Sequence, residues 1–286
     1  MKTSFGILHP GMMGISVAAS AKNSGCEVYW TSSGRSALTR ERAEGHALID
    51  AGSLVALAQT CQVIVSVCPP SAAEEVAYEV LSNGYTGLYV DANAIAPERS
   101  VRMGRKLEAG GVQYIDGGII GGPAWQPGST WLYLSGPEAG RAAACFSDGP
   151  LETDVISEEI GQASALKMCY AAWTKGTTAL LCAILGAAES YEVWGDLEAQ
   201  WERDRPGFAE DAVRRARRVT AKAWRFEGEM HEIAATFRDA GLPGDFHTGA
   251  AEIYRRLAPL QHLAGEPTLA DVLDRIIQGH SPERPA

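Results

Sequence analysis

The chain of 286 residues contains no run near the ~18 apolar residues that a membrane-spanning helix needs. Its apolar N-terminus is broken by Gly6, Pro10, Gly11 and Gly14 and is followed by no small-residue cleavage site. That stretch reads as a first β-strand rather than a span or a signal peptide. The six cysteines, Cys26, Cys61, Cys68, Cys145, Cys169 and Cys182, form no C-x-x-C pair, and no His/Cys/carboxylate set stands at metal-ligand spacing. A disulfide framework and a zinc site are thereby set aside, leaving buried thiols in a reducing, cytoplasmic setting. Basic charge is also scarce: 25 Lys plus Arg against 35 Asp plus Glu gives a net charge of −10. Such a chain repels a nucleic-acid backbone or an anionic membrane, so any phosphate it binds must be held by a local site. Internal repeats and low-complexity tracts are absent.

What remains is ordinary globular material, 46% apolar and 21% charged. The length exceeds the usual domain of about 100–150 residues, which predicts two domains. Up to about residue 157, apolar runs at 4–8, 27–30, 63–67, 87–90, 112–115, 130–134 and 154–156 alternate with helix-like stretches at 15–23, 53–61, 72–81, 97–108 and 138–146. This is the pattern of βαβ units and a mostly parallel, doubly wound sheet. Strand runs then cease. A long Ala/Leu-rich helix is predicted over 162–193, followed by helices at 211–224, 227–239, 248–257 and 268–278, with a frayed tail from 281. The reading is therefore an α/β domain over 1–158 and an all-α domain over 159–286, joined by a long interdomain helix. The basic run from Arg214 to Arg225 reads as a solvated helix face.

The first strand leads directly into His9-Pro10-Gly11-Met12-Met13-Gly14 and a helix. A dinucleotide site requires a tight strand-to-helix turn, close backbone approach to the pyrophosphate, and free N–H groups at a helix N-terminus. Gly11 and Gly14 hold the second and third glycine places of G-x-G-x-x-G, and His9 stands at the first. About 20 residues on, where a carboxylate would bind the ribose hydroxyls of NAD, the chain has Thr31-Ser32-Ser33-Gly34-Arg35. Hydroxyls with an arginine suit the 2′-phosphate of NADP, although Arg35 also reads as a surface residue on a polar loop.

Together with further segments, this opening resembles the β-hydroxyacid dehydrogenase family of 6-phosphogluconate dehydrogenase-like NAD(P)-binding oxidoreductases, which are related to imine reductases. The segments are Val63-Ile64-Val65-Ser66-Val67-Cys68-Pro69, Asp91-Ala92-Asn93, Asp116-Gly117-Gly118-Ile119-Ile120-Gly121-Gly122, and Gly161-Gln162-Ala163-Ser164-Ala165-Leu166-Lys167. The resemblance implies a Rossmann domain followed by a helical substrate and dimerisation domain, with a homodimer built on the C-terminal helices. It implies cofactor contacts at Gly11, Met12, Met13, Gly14, Ser32, Ser33, Arg35, Cys68 and Pro69. Substrate contacts are implied at Asn93, Gly121 and Gly122, with Tyr170, Lys175 and His231 as further candidates. Read from the residues alone, Tyr170 is equally a packed group and His231 a solvated or structural one.

The same resemblance makes Lys167 the proton-transfer residue; by itself, a lysine early in an Ala-rich helix reads as solvated. Ile120 and Ala171 stand where the family's hydroxyacid enzymes carry a serine and an asparagine, so the expected pocket is more apolar than theirs. The leading expectation is an NADP-dependent oxidoreductase moving a hydride between nicotinamide and a small carbonyl or alcohol substrate. The alternatives are an imine reductase acting on C=N and a non-catalytic NADP-binding protein.

Overall fold

A computed structural model describes residues 2–263 and 265–278; the tail read from 281 onward lies outside them. Two compact units, Met1–Met168 and Cys169–Ala286, make up the chain. Among the described residues no helix is long and apolar enough to cross a membrane.

The first unit alternates strands and helices: β1 (Ser4–Ile7), α1 (Met12–Asn23), β2 (Glu27–Trp30), α2 (Ala37–Gly45), β3 (Ile49–Asp50), α3 (Leu54–Thr60), β4 (Val63–Ser66), α4 (Ala73–Ser82), β5 (Leu88–Asp91), α5 (Pro97–Ala109), β6 (Gln113–Gly121), β7 (Thr130–Ser135), α6 (Ala139–Ala143) and β8 (Glu152–Ser157). One eight-stranded sheet results, in the order β3-β2-β1-β4-β5-β6-β7-β8. Every neighbouring pair is parallel except β6 with β7. Period-two alternation explains why the central strands are apolar throughout. Val63, Val65, Leu88, Val90 and Ile115 feed one core, while Ile64, Tyr89 and Tyr114 feed the core on the opposite face; both faces are covered, so neither can be polar.

The structure adds elements that patterning did not predict. Strand β3 is two exposed residues, and α2 buries only Ala43, so neither writes an apolar period into the sequence. The segment from Asp116 to Gly121 is the second half of β6, because β7 pairs with it from Asp116↔Ser135 to Gly121↔Thr130.

After β8 come α7 (Gln162–Ala171), a π-helical turn (Ala172–Gly176) and α8 (Thr177–Ser190). The second unit continues with α9 (Trp194–Asp204), α10 (Phe208–Asp239), α11 (Asp245–Leu257) and α12 (Leu269–Gln278). Where two helices were expected at 211–224 and 227–239, a single 32-residue helix runs through Gly228. A continuous stripe of Ala212, Ala216, Ala223, Phe226, Met230 and Ile233 is buried along it and outweighs the glycine's cost of about 1 kcal/mol. The basic face of α10 is not wholly solvated. Arg215 donates to Thr177 Oγ1 and Thr178 Oγ1 at 2.8 and 2.7 Å, and Arg217 donates to the Pro267 carbonyl at 2.7 Å.

Candidate functional site

Strand order reverses at β1, which has β2 on one side and β4 on the other, and in open α/β sheets the ligand crevice lies at that point beyond the carboxyl ends of the strands. The turn from β1 to α1 occupies it. A Cβ on Gly14 would lie 2.1 Å from the His9 carbonyl oxygen, so only glycine lets α1 pack against the strand here. Beyond the Cα of Gly11, by contrast, nothing lies within 4 Å, leaving the open approach a pyrophosphate needs. The N-terminus of α1 has no capping side chain and no acidic residue in its first turn, so its positive end is uncompensated. Met12 is exposed and Met13 half-buried beside it. His9 is not among the residues with positive φ, which is why a side chain is tolerated at the first glycine place.

The loop after β2 carries Ser32, Ser33 and Arg35. Arg35 is half-buried, and its Nε has no hydrogen-bond partner. Burial lowers its pKa, while the Glu79 carboxylate opposes that shift. Arg35 and Ser33 line a cavity of about 290 Å3 with His9, Thr31, Val76 and Glu79. A carboxylate that sequence spacing missed comes from the neighbouring strand: Asp50 Oδ1 accepts from Ser32 N at 3.1 Å and Gly52 N at 2.8 Å. Burial raises its pKa, but the Ser32 side chain, the Gly52 and Ser32 N–H groups and the Arg40 charge outweigh it and hold the carboxyl below its ordinary value. Cys68 and Pro69 follow β4. Burial pushes the Cys68 thiol up to about 11, so it is a neutral wall rather than a nucleophile.

Along the same carboxyl edge, Asn93 lies just past β5 and is 2% exposed. Its Nδ2 donates to Asp91 Oδ2 at 2.8 Å and Ser66 Oγ at 3.2 Å, and its Oδ1 accepts from Cys68 N at 2.5 Å. Both its amide hydrogens brace the ends of β4 and β5.

Lys167 is held by β6. Its Nζ donates to the Ile119 carbonyl at 2.6 Å, and the residue is half-buried rather than extended into solvent. The helix that carries it is fixed through Asp116, which is 0% exposed. Asp116 accepts from Ser100 Oγ (2.8 Å), Ser135 Oγ (3.0 Å), Gly161 N (3.1 Å), and both Ser164 N (2.9 Å) and Ser164 Oγ (2.5 Å). Close approach is possible because Gly118 has no side chain; a Cβ there would meet the Ala163 oxygen at 2.7 Å and Lys167 Cβ at 2.9 Å. Gly121 (φ 128°) ends β6, and Gly122 is exposed beyond it, with its carbonyl accepting from Thr130 Oγ1 at 2.8 Å.

The other substrate candidates belong to the second unit, or to the helix that leads into it. Tyr170 is 41% exposed and meets the Trp173 ring edge-on at 5.7 Å. Lys175 is ion-paired with Glu229 and lies over the Phe226 ring, a pairing across 54 residues that no sequence spacing announces. His231 is exposed on α10. Trp173 is 65% exposed.

Residues 4–143 match the NAD binding domain of 6-phosphogluconate dehydrogenase, and residues 188–257 match a domain of unknown function, DUF1932. No curated protein sequence matches the chain. Among solved structures, a conserved protein of unknown function, described as structurally similar to 3-hydroxyacid dehydrogenases, is 27% identical with a TM-score of 0.67, over 91% of this chain and 100% of the other. A Mycobacterium tuberculosis 3-hydroxyisobutyrate dehydrogenase with L-serine is 15% identical (TM-score 0.69, covering 96% and 98%). A Myxococcus stipitatus imine reductase variant in complex with NAD+ is 16% identical (TM-score 0.56, covering 97% and 100%). Sheet order, glycine turn and matched domain define an NAD(P)-binding oxidoreductase fold. Together these matches support a β-hydroxyacid dehydrogenase-like family for the chain.

Proposed function

We propose that this protein is an NADP-dependent oxidoreductase that moves a hydride between nicotinamide and a small carbonyl or alcohol substrate, with Lys167 relaying the proton. The observation that carries the reading is the Lys167 ammonium, held on the Ile119 carbonyl of β6, the strand whose carboxyl end shares an edge with the glycine turn. An ammonium so placed can protonate a substrate oxygen as it gains charge, and accept that proton in reverse. The N–H groups around Gly11, Met12, Met13 and Gly14 would hold the pyrophosphate, Ser32, Ser33 and Arg35 the 2′-phosphate, and Cys68 and Pro69 would flank the dinucleotide. Bound NADPH supplies the hydride. The open space at Gly11 and the unpartnered Arg35 Nε support this fit.

Lys167→Ala is expected to lower turnover by about 10²–10⁴-fold while NADPH affinity, measured by fluorescence titration, stays unchanged. Wild-type turnover with intact NADPH binding would remove Lys167 from the mechanism.

A second reading, reduction of C=N, is favoured by Ile120, which is half-buried beside Gly121 and can make no side-chain hydrogen bond. An iminium arrives already protonated and tolerates such a wall. NADPH oxidation assayed side by side with cyclic imines and with small aldehydes or keto acids chooses between the two. We also propose a homodimer through the C-terminal helices, supported by the exposed apolar groups Trp173, Leu180, Tyr191 and Trp224. Light scattering should then give about twice the 30.5 kDa chain mass.

A further inference from the structure

His9 stands where a glycine would complete the phosphate-binding turn, and the backbone there does not demand glycine. What the imidazole does instead follows from its surroundings. Its Nδ1 is buried and has no hydrogen-bond partner, and the Arg35 Nε is in the same condition. Leaving a buried nitrogen unpaired is costly, so two of them lining one cavity mark a place whose hydrogen bonds are completed by something else. That cavity, about 290 Å3, is at the lower edge of the size of small-molecule pockets, roughly 300 Å3. It suits one end of a dinucleotide rather than the whole. Its walls divide by chemistry: Leu54, Val55, Val76 and Val80 offer apolar surface, whereas His9, Thr31, Ser33 and Arg35 offer polar atoms.

We infer that His9 is a second determinant of nucleotide choice, acting with Arg35 on a phosphate monoester carried by the adenosine ribose. The inference rests on the nicotinamide-dinucleotide reading above and adds a residue to it. Burial, reinforced by the Arg35 charge, drops the His9 pKa to about 4, so the free protein presents a neutral ring beside a cation. A neutral imidazole still donates one hydrogen bond, and it leaves the guanidinium charge for the phosphate undiminished. Glu79 is the opposing element in this cavity: if its carboxylate bound ribose hydroxyls, the unphosphorylated nucleotide would be preferred.

The test is the dissociation constants of NADPH and NADH, by fluorescence titration, for the wild type, His9→Gly, His9→Gln and Arg35→Ala, each checked for folding by circular dichroism. His9→Gly should weaken NADPH about tenfold, the value of one charge-assisted hydrogen bond, and change NADH less than twofold. His9→Gln, which keeps a donor, should recover part of the loss and serves as the readout if the glycine variant does not fold. Equal effects on both nucleotides, no effect on either, or tighter wild-type binding of NADH than of NADPH overturns the role of His9. Should the wild type bind neither nucleotide, the nicotinamide reading itself falls; should it bind both with His9 indifferent, only this inference does.

Discussion

Asp91 shows how a single residue couples this site to pH. It is fully buried at the end of β5 and directly opposite Asp116 on β6. Burial raises its pKa to about 7 from an ordinary 3.8; the Asn93 N–H groups pull it down and the Asp116 charge pushes it further up. A carboxyl whose folded pKa is raised contributes stability that is complete below about pH 4 and is lost as pH climbs through about 7. His9, whose pKa is lowered to about 4 from 6.5, runs the other way: its contribution is present above pH 6.5 and lost as pH falls through 4. Comparing wild type with Asp91→Asn cancels the His9 effect. Urea denaturation at pH 5, 6.5 and 8 should show the variant gaining on the wild type as pH rises; a gap independent of pH would contradict the shift. The Asp91 and Asn93 pairing was legible as a motif, but its saturation was not, since Asn93 finds Ser66 and Cys68 across 27 and 25 residues.

At the scale of the element, the first turn of α7 is placed by β6. Asp116→Ala would strand the Gly161 and Ser164 N–H groups in the interior, at about 1–3 kcal/mol each, and should lower the melting temperature by several degrees. Gly118→Ala forces α7 outward to relieve contacts of 2.7 and 2.9 Å. It is expected to cost about 1–3 kcal/mol in urea titration, and also to reduce turnover beyond what the lost stability explains, because Lys167 moves with the helix. Unchanged kinetics in a folded Gly118→Ala protein would show that the Lys167 position is not set by this contact. The segment from Asp116 to Gly122 stood out in the sequence as a motif; that Gly118 within it is the packing face for a helix some 45 residues later did not. Likewise the π-helical turn at Ala172–Gly176, where the Lys175 carbonyl accepts from Tyr254 Oη at 2.7 Å, interrupts what periodicity read as an unbroken helix.

For the whole molecule, a ligand that binds only the folded state adds stability as RT ln(1 + [L]/Kd), about 2.7 kcal/mol at a hundredfold excess over Kd. Thermal melts with equal concentrations of NADPH and NADH should therefore show a rise with both and the larger rise with NADPH. Equal shifts would leave the cofactor choice open to either nucleotide at the Arg35 loop.

The amino-acid order alone determined the alternation of strands and helices in the first unit, the change to helices after residue 157, and the glycine turn after β1. These depend on local periodicity and on backbone geometry within a few residues. Only the tertiary structure decided which polar groups remain available for chemistry. It committed Asn93 to a brace, paired Lys175 with Glu229, brought Asp50 beside Ser32, and left His9 Nδ1 and Arg35 Nε without hydrogen-bond partners on the walls of one cavity. The physical reason is that saturation of a hydrogen-bonding group depends on neighbours delivered by packing, and residue spacing carries no record of them.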